Sequence, residues 1–208
     1  MKTIFIFLII LLSPAFAWAG DIGIQAGTTI VGHEYNEVLN RYIERKITIW
    51  GFSDNTFSIN GGTTFGDADV YFPNEKKTLE KLVWVMDKSL EWSDIAIKNN
   101  ASASKLFGCF LGEEGFKATS CPSDKLLAAV NHSGRIIFSF KSSVIGGKAI
   151  PELKANFFSY AIGSLPDREA AILIPYEEIK KLKIAVQNIG EAIKWAKERA
   201  KKEKELFK

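Results

Sequence analysis

Val70-Tyr71-Phe72-Pro73-Asn74-Glu75 and Ile172-Leu173-Ile174-Pro175-Tyr176-Glu177 decide how this chain is read. In each, an apolar run that suits a strand stops at a proline, and a helical stripe follows. Before the first proline, Asp67 to Phe72 alternates, with Ala68, Val70 and Phe72 on one side. After it, Leu79, Leu82, Val83, Met86, Leu90 and Ile97 mark a helix running to about Lys98. After the second proline, a longer helix is predicted from about Tyr176 to Lys204. Its stripe is Ile179, Leu182, Val186, Ile189, Ile193, Ala196 and Ala200.

The two units echo each other at an offset of 102, which one inserted residue moves to 103. Leu79 then meets Leu182, Val83 meets Val186, Met86 meets Ile189, Leu90 meets Ile193 and Trp92 meets Trp195. An internal duplication would produce this, and so would any two amphipathic helices placed after strands. The upstream strands show no comparable match. The two halves would be about 20–100 and 105–208.

Working outward, segments near 22–31 and 46–60 are rich in Ile, Thr, Phe and Trp and read as strands. Between them, Tyr35, Val38, Leu39, Tyr42 and Ile43 fit one face of a short helix over 34–45, although Tyr42 to Trp50 also suits a strand. Asn60-Gly61-Gly62 is a hairpin signal because these residues tolerate positive φ. Asn99 to Ser104 reads as a linker. Beyond it, short apolar segments at 106–111, 126–131, 135–140, 155–162 and 169–174 alternate with turns such as Gly146-Gly147. The expected class is α+β: antiparallel β-meanders with two long amphipathic helices.

The N-terminus carries Lys2, an apolar run from Ile4 to Leu12, the breakers Ser13 and Pro14, and Ala17-Trp18-Ala19 before Gly20. That is the layout of a secretory signal peptide over residues 1–19. Cleavage after Ala19 is expected first and after Ala17 second; an uncleaved anchor is the alternative. The run is short of the roughly 20 residues a spanning helix needs. The mature chain, 20–208, would work in the periplasm or outside the cell, and a chain of that length buries about 70% of its unfolded surface.

Export would place Cys109 and Cys121 in an oxidising space. A structural disulfide closing a loop is expected, contributing about 3 kcal/mol in the chain-entropy model. A redox couple lacks the usual C-x-x-C spacing, and two buried free thiols are the other alternative. Glu113 and Glu114 lie inside that loop and are a candidate partner contact, although a plain solvated turn explains them as well.

The composition is 47% hydrophobic and 25% charged, which excludes disorder as the main state. A net charge of +3 is too weak to indicate a nucleic-acid surface. The chain has two histidines, His33 and His132, and no G-x-S-x-G elbow, paired-histidine metal motif or phosphate-binding glycine loop. Asp67 and Asp69 share a strand face and could divide acid and base roles, but a solvated face accounts for them. No catalytic residue, cofactor or metal site is expected. Asn100 and Asn131 open glycosylation triplets that matter only in a eukaryotic host.

The strict three-four spacing of Ile179, Leu182, Val186, Ile189 and Ile193 is also a coiled-coil seam. It would serve either to lie on a sheet or first helix, or to form a homodimer. The C-terminal helix is basic, with Lys197, Arg199, Lys201, Lys202 and Lys204 in its last turns. Those cations suit the helix dipole or an anionic partner surface; stable membrane insertion is not expected. The leading functional expectation is a non-enzymatic accessory or binding protein acting through protein–protein contact. The alternatives are a secreted hydrolase with a site assembled from His33, His132, Asp67 and Asp69, and a helix-mediated dimer.

Overall fold

The computed structural model describes residues 21–63, 66–112, 114–117, 134–160 and 166–206. Among the described residues, ten strands form one antiparallel sheet. They are β1 (Gly23–Gln25), β2 (Ile30–Asn36), β3 (Arg41–Phe52), β4 (Thr56–Thr63), β5 (Gly66–Pro73), β6 (Ala103–Leu111), β7 (Gly115–Lys117), β8 (Gly134–Ile145), β9 (Lys148–Tyr160) and β10 (Pro166–Pro175). Nine run in the order β5-β4-β3-β2-β10-β9-β8-β6-β7, and β1 pairs with β3. Three helices are described: α1 (Lys76–Asn99), α2 (Tyr176–Gln187) and α3 (Ile189–Leu206).

The alternation read in β5 holds, with Ala68, Val70 and Phe72 all buried. The prolines Pro73 and Pro175 end β5 and β10 as expected. α1 ends where Asn100 adopts a left-handed conformation (φ 48°) and its N–H returns to the carbonyls of Ala96 and Ile97. Gly146 and Gly147, both at positive φ, make the two-residue turn between β8 and β9.

Four expectations are corrected. The segment 34–45 is not a helix but the ends of β2 and β3 and the tip between them. Asn60-Gly61-Gly62 is not a turn; it lies inside β4, where Gly61 admits the ring of Phe157. A Cβ at Gly61 would sit 2.7 Å from that ring, so the glycine serves close approach rather than reversal. The expected helix over 176–204 is divided at Asn188 into α2 and α3, so the described residues hold three helices. Finally, Ile179, Leu182, Val186, Ile189 and Ile193 are all buried within the chain, so the seam has no face left for a homodimer. The stripe is covered by different elements along its length: α2 packs on α1 and β2, while α3 packs on β1 and β3.

One cluster of buried residues takes in both halves, from Ala26 and Ile47 to Phe138, Ile172 and Ile193. Its aromatic edge is ordered by a bulge between Leu106 and Gly108, which turns Phe107 toward α1. There Phe107 stacks on Trp92 at 4.9 Å and 8° and meets Trp84 edge-on at 5.8 Å. Such pairs add about 0.5–1.5 kcal/mol each beyond their burial.

The joint between the halves is built differently from the rest of the sheet. β2 and β10 share one ladder pair, His33 with Leu173, and at Gly32 they approach so closely that a Cβ would lie 2.8 Å from the Leu173 carbonyl oxygen. Carboxylates supply the missing ladder bonds. Ala171 N–H donates to Glu34 Oε1 at 3.2 Å, and Val31 N–H donates to Glu178 Oε2 at 2.9 Å. Burial by itself would raise the Glu178 carboxyl, but the hydrogen bonds from Lys181 and Val31 outweigh it and hold the group below its ordinary value.

A carboxyl held lower in the folded chain than in the unfolded one stabilises the fold above the ordinary carboxylate range. That contribution is lost as pH falls through the range to the folded value. Glu178→Gln is therefore expected to flatten the acid limb of stability against pH and leave the alkaline limb alone. Urea unfolding at a series of pH values reads this; parallel acid limbs for both proteins would refute it.

Candidate functional site

The strongest site candidate is the tip where β2 passes into β3. Asn36, Glu37, Val38, Leu39 and Asn40 turn the chain, with Asn40 in the left-handed region (φ 48°) that asparagine tolerates better than most residues. Leu39 N–H donates to Asn36 Oδ1 at 2.8 Å, and Asn40 N–H donates to the Glu37 carbonyl at 3.3 Å. The Tyr35 hydroxyl donates to Asn40 Oδ1. Tyr35 and Tyr42, directly paired across the strands, meet edge-on at 5.4 Å. The turn is thus held by its own polar groups, and its apolar side chains point out.

Val38 is 93% exposed, and Leu39, Tyr35 and Tyr42 are exposed with it. Four large apolar side chains on one tip are unusual for a surface that meets only water. The base of the ribbon is firm. Arg45 Nε donates to Glu34 Oε2 at 2.7 Å, with both side chains mostly buried, while Oε1 of the same carboxylate holds β10. Tyrosine at such a position offers a large contact area at low entropic cost.

The residues singled out from sequence are scattered. His33 lies in β2, opposite Glu44 of β3 and Leu173 of β10. Asp67 and Asp69 lie on β5, separated from β2 by β4 and β3. His132, the other member of the hydrolase alternative, lies outside the described residues. Burial holds the Glu152 carboxyl above its ordinary value, against the pull of Lys141 and His33. Among the described residues, no group of three or more His, Cys, Asp or Glu could hold a metal ion.

Cys109 is buried in β6, opposite Lys117 of β7 and Ile137 of β8. Glu114 is exposed beside the β6–β7 turn. Cys121, Glu113, Asn131, Ala17, Ala19 and Gly20 lie outside the described residues. Asn100 caps α1, and its side-chain amide donates to the Gly147 carbonyl at 2.9 Å. A shallow cleft of about 540 Å³ separates the end of α3 from the β3–β4 turn, with Lys197, Lys201 and Lys204 on one side and Asp21, Ser53 and Asp54 on the other.

The spacing of Tyr35, Val38, Leu39 and Tyr42 fits one face of a helix, and in the fold these residues belong to a strand–turn–strand tip instead. The signal against that reading was Asn36 and Asn40 bracketing three residues, followed by the period-two run of Ile43, Arg45, Ile47 and Ile49. No family model, curated protein or solved structure matches the chain.

Proposed function

We propose that this chain is an exported, non-enzymatic binding protein that acts through protein–protein contact, with the β2–β3 tip as its contact surface. The observation that carries the reading is a self-braced turn displaying Val38, Leu39, Tyr35 and Tyr42. Bracing matters because a surface already ordered loses little entropy on binding. The exported part of the proposal rests on the leader at residues 1–19, and a Cys109–Cys121 disulfide belongs with it. Its support is the burial of Cys109 beside the short strand β7. An ancestral duplication is part of the same reading. Its support is the strand order, in which β2-β3-β4-β5 and β6-β8-β9-β10 are successive meanders, each followed by a helix.

The test is affinity capture from the native extracytoplasmic fraction with wild-type chain and with Val38→Asp. A partner held by the tip is expected to be retained by the first and lost by the second. Truncation at a contact centre costs about 2 kcal/mol or more, which is over tenfold in Kd. The substitution itself should change folding stability by no more than about 0.5 kcal/mol, since the side chain touches little. Identical capture by both proteins would overturn the assignment of the tip.

A further inference from the structure

We infer that the cleft between the end of α3 and the β3–β4 turn binds a small zwitterion, a ligand of amino-acid or dipeptide size that carries both an ammonium and a carboxylate. The two walls of the cleft bear opposite charge. On the helix wall, Lys197, Lys201 and Lys204 recur at steps of four and three, so they share one face, and Glu205 beside them leaves that wall positive. Asp21 and Asp54 face them and make the other wall negative. Among the described residues, these three lysines and two aspartates make no ion pair.

The scaffold holds the charges apart. The helix is seated where Ile193 lies against Gly51 of β3. Asp54 Oδ1 is held in place by the Thr56 N–H at 2.9 Å and the Thr56 hydroxyl at 2.6 Å, both donating to it. Asp21 precedes Ile22, which is tied to the turn twice: its N–H donates to Ser53 Oγ at 3.3 Å, and its carbonyl accepts from the Ser53 N–H at 3.1 Å. Lys197 Nζ donates to Asn55 Oδ1 at 2.8 Å and joins the walls at one point. About 540 Å³ separates the remaining groups. That geometry selects the ligand by its charges. A simple anion would meet the lysines but also two aspartates, and a simple cation would meet the reverse. A molecule with one charge of each sign satisfies both walls, and each wall repels the wrong end. Walls already fixed in place also lose little freedom when the ligand arrives.

The experiment is a nuclear magnetic resonance titration of the folded chain with the dipeptide Ala-Ala. N-acetyl-Ala-Ala, which lacks the ammonium, and Ala-Ala amide, which lacks the carboxylate, are its two other arms. Ala-Ala is expected to bind with a Kd in roughly the millimolar range. It should shift the amides of Ser53, Asp54 and the turn of α3 around Lys201, and bind more weakly as salt is raised. Each capped peptide should bind about two- to fivefold more weakly, the range for one exposed charge pair. Asp54→Asn keeps an oxygen for Thr56 and removes the charge; it should erase the preference for Ala-Ala over the acetylated peptide. Lys201→Gln should erase the preference over the amide. Unchanged spectra away from the cleft show that each variant is folded. The inference fails if millimolar Ala-Ala shifts nothing in the cleft, or if the capped peptides bind as well as Ala-Ala. It also fails if both variants, folded, keep the wild-type preferences. None of these outcomes bears on the β2–β3 tip, which Val38→Asp tests separately.

Discussion

Phe157→Ala is expected to lower the free energy of unfolding by about 3–5 kcal/mol, the range for removing a buried phenylalanine. The ring is fully buried. It belongs to β9, yet it packs over Gly61 of β4, on the other side of the joint between β2 and β10, where a Cβ would lie 2.7 Å from the ring. The ring therefore fills space that neither meander could enclose alone. Gly61 has no side chain with which to collapse into the gap, so the cavity stays open. Equilibrium urea unfolding followed by far-ultraviolet circular dichroism measures the loss. A cost below about 1 kcal/mol, far under that range, would mean the ring is not enclosed between the halves.

Gly32→Ala should be costly for the opposite reason, by about 1–3 kcal/mol through overpacking. A Cβ at this position would lie 2.4 Å from Ile172 Cγ2 and 2.8 Å from the Leu173 carbonyl oxygen. The isoleucine could shift; the carbonyl belongs to the single ladder pair joining β2 to β10 and cannot move without breaking it. The carboxylates of Glu34 and Glu178 flank this contact, so a displaced β10 would strain both of their backbone bonds. Gly190→Ala is the control. Nothing lies within 4 Å of a Cβ there, and in α3 it should stabilise by about 0.5–1 kcal/mol. Both are read from urea midpoints at constant m-value. Equal stability of Gly32→Ala and wild type would remove the close crossing.

Together these substitutions test whether the chain behaves as one cooperative core joined across a narrow seam. Their sites also show the limit of pattern reading. Gly61 and Gly32 both look like breakers in sequence. In the fold each is the point where another element comes too close for a side chain, and no local signal distinguishes that need from a turn.

Local chemistry was enough for the elements whose reasons are local. Pro73 and Pro175 lack an N–H and stop strands; Ala68, Val70 and Phe72 alternate because β5 has one covered face; Gly146 and Gly147 supply the positive φ of a tight turn; and the stripe of α2 names its buried side, whereas α1 buries Thr78, Val85, Ser89, Ser93 and Ala96 beside Leu82 and Met86 and leaves the expected Ile97 exposed. Tertiary structure alone decided what covers each face. Tyr35, Val38, Leu39 and Tyr42 are as apolar as core residues, yet strand pairing carries them into solvent. Ile189 and Ile193 continue the same seam, yet past Asn188 the helix packs on β1 and β3 instead of α1. Periodicity records which side chains share a face; burial depends on a partner surface elsewhere in the chain, and that information exists only once the chain is folded.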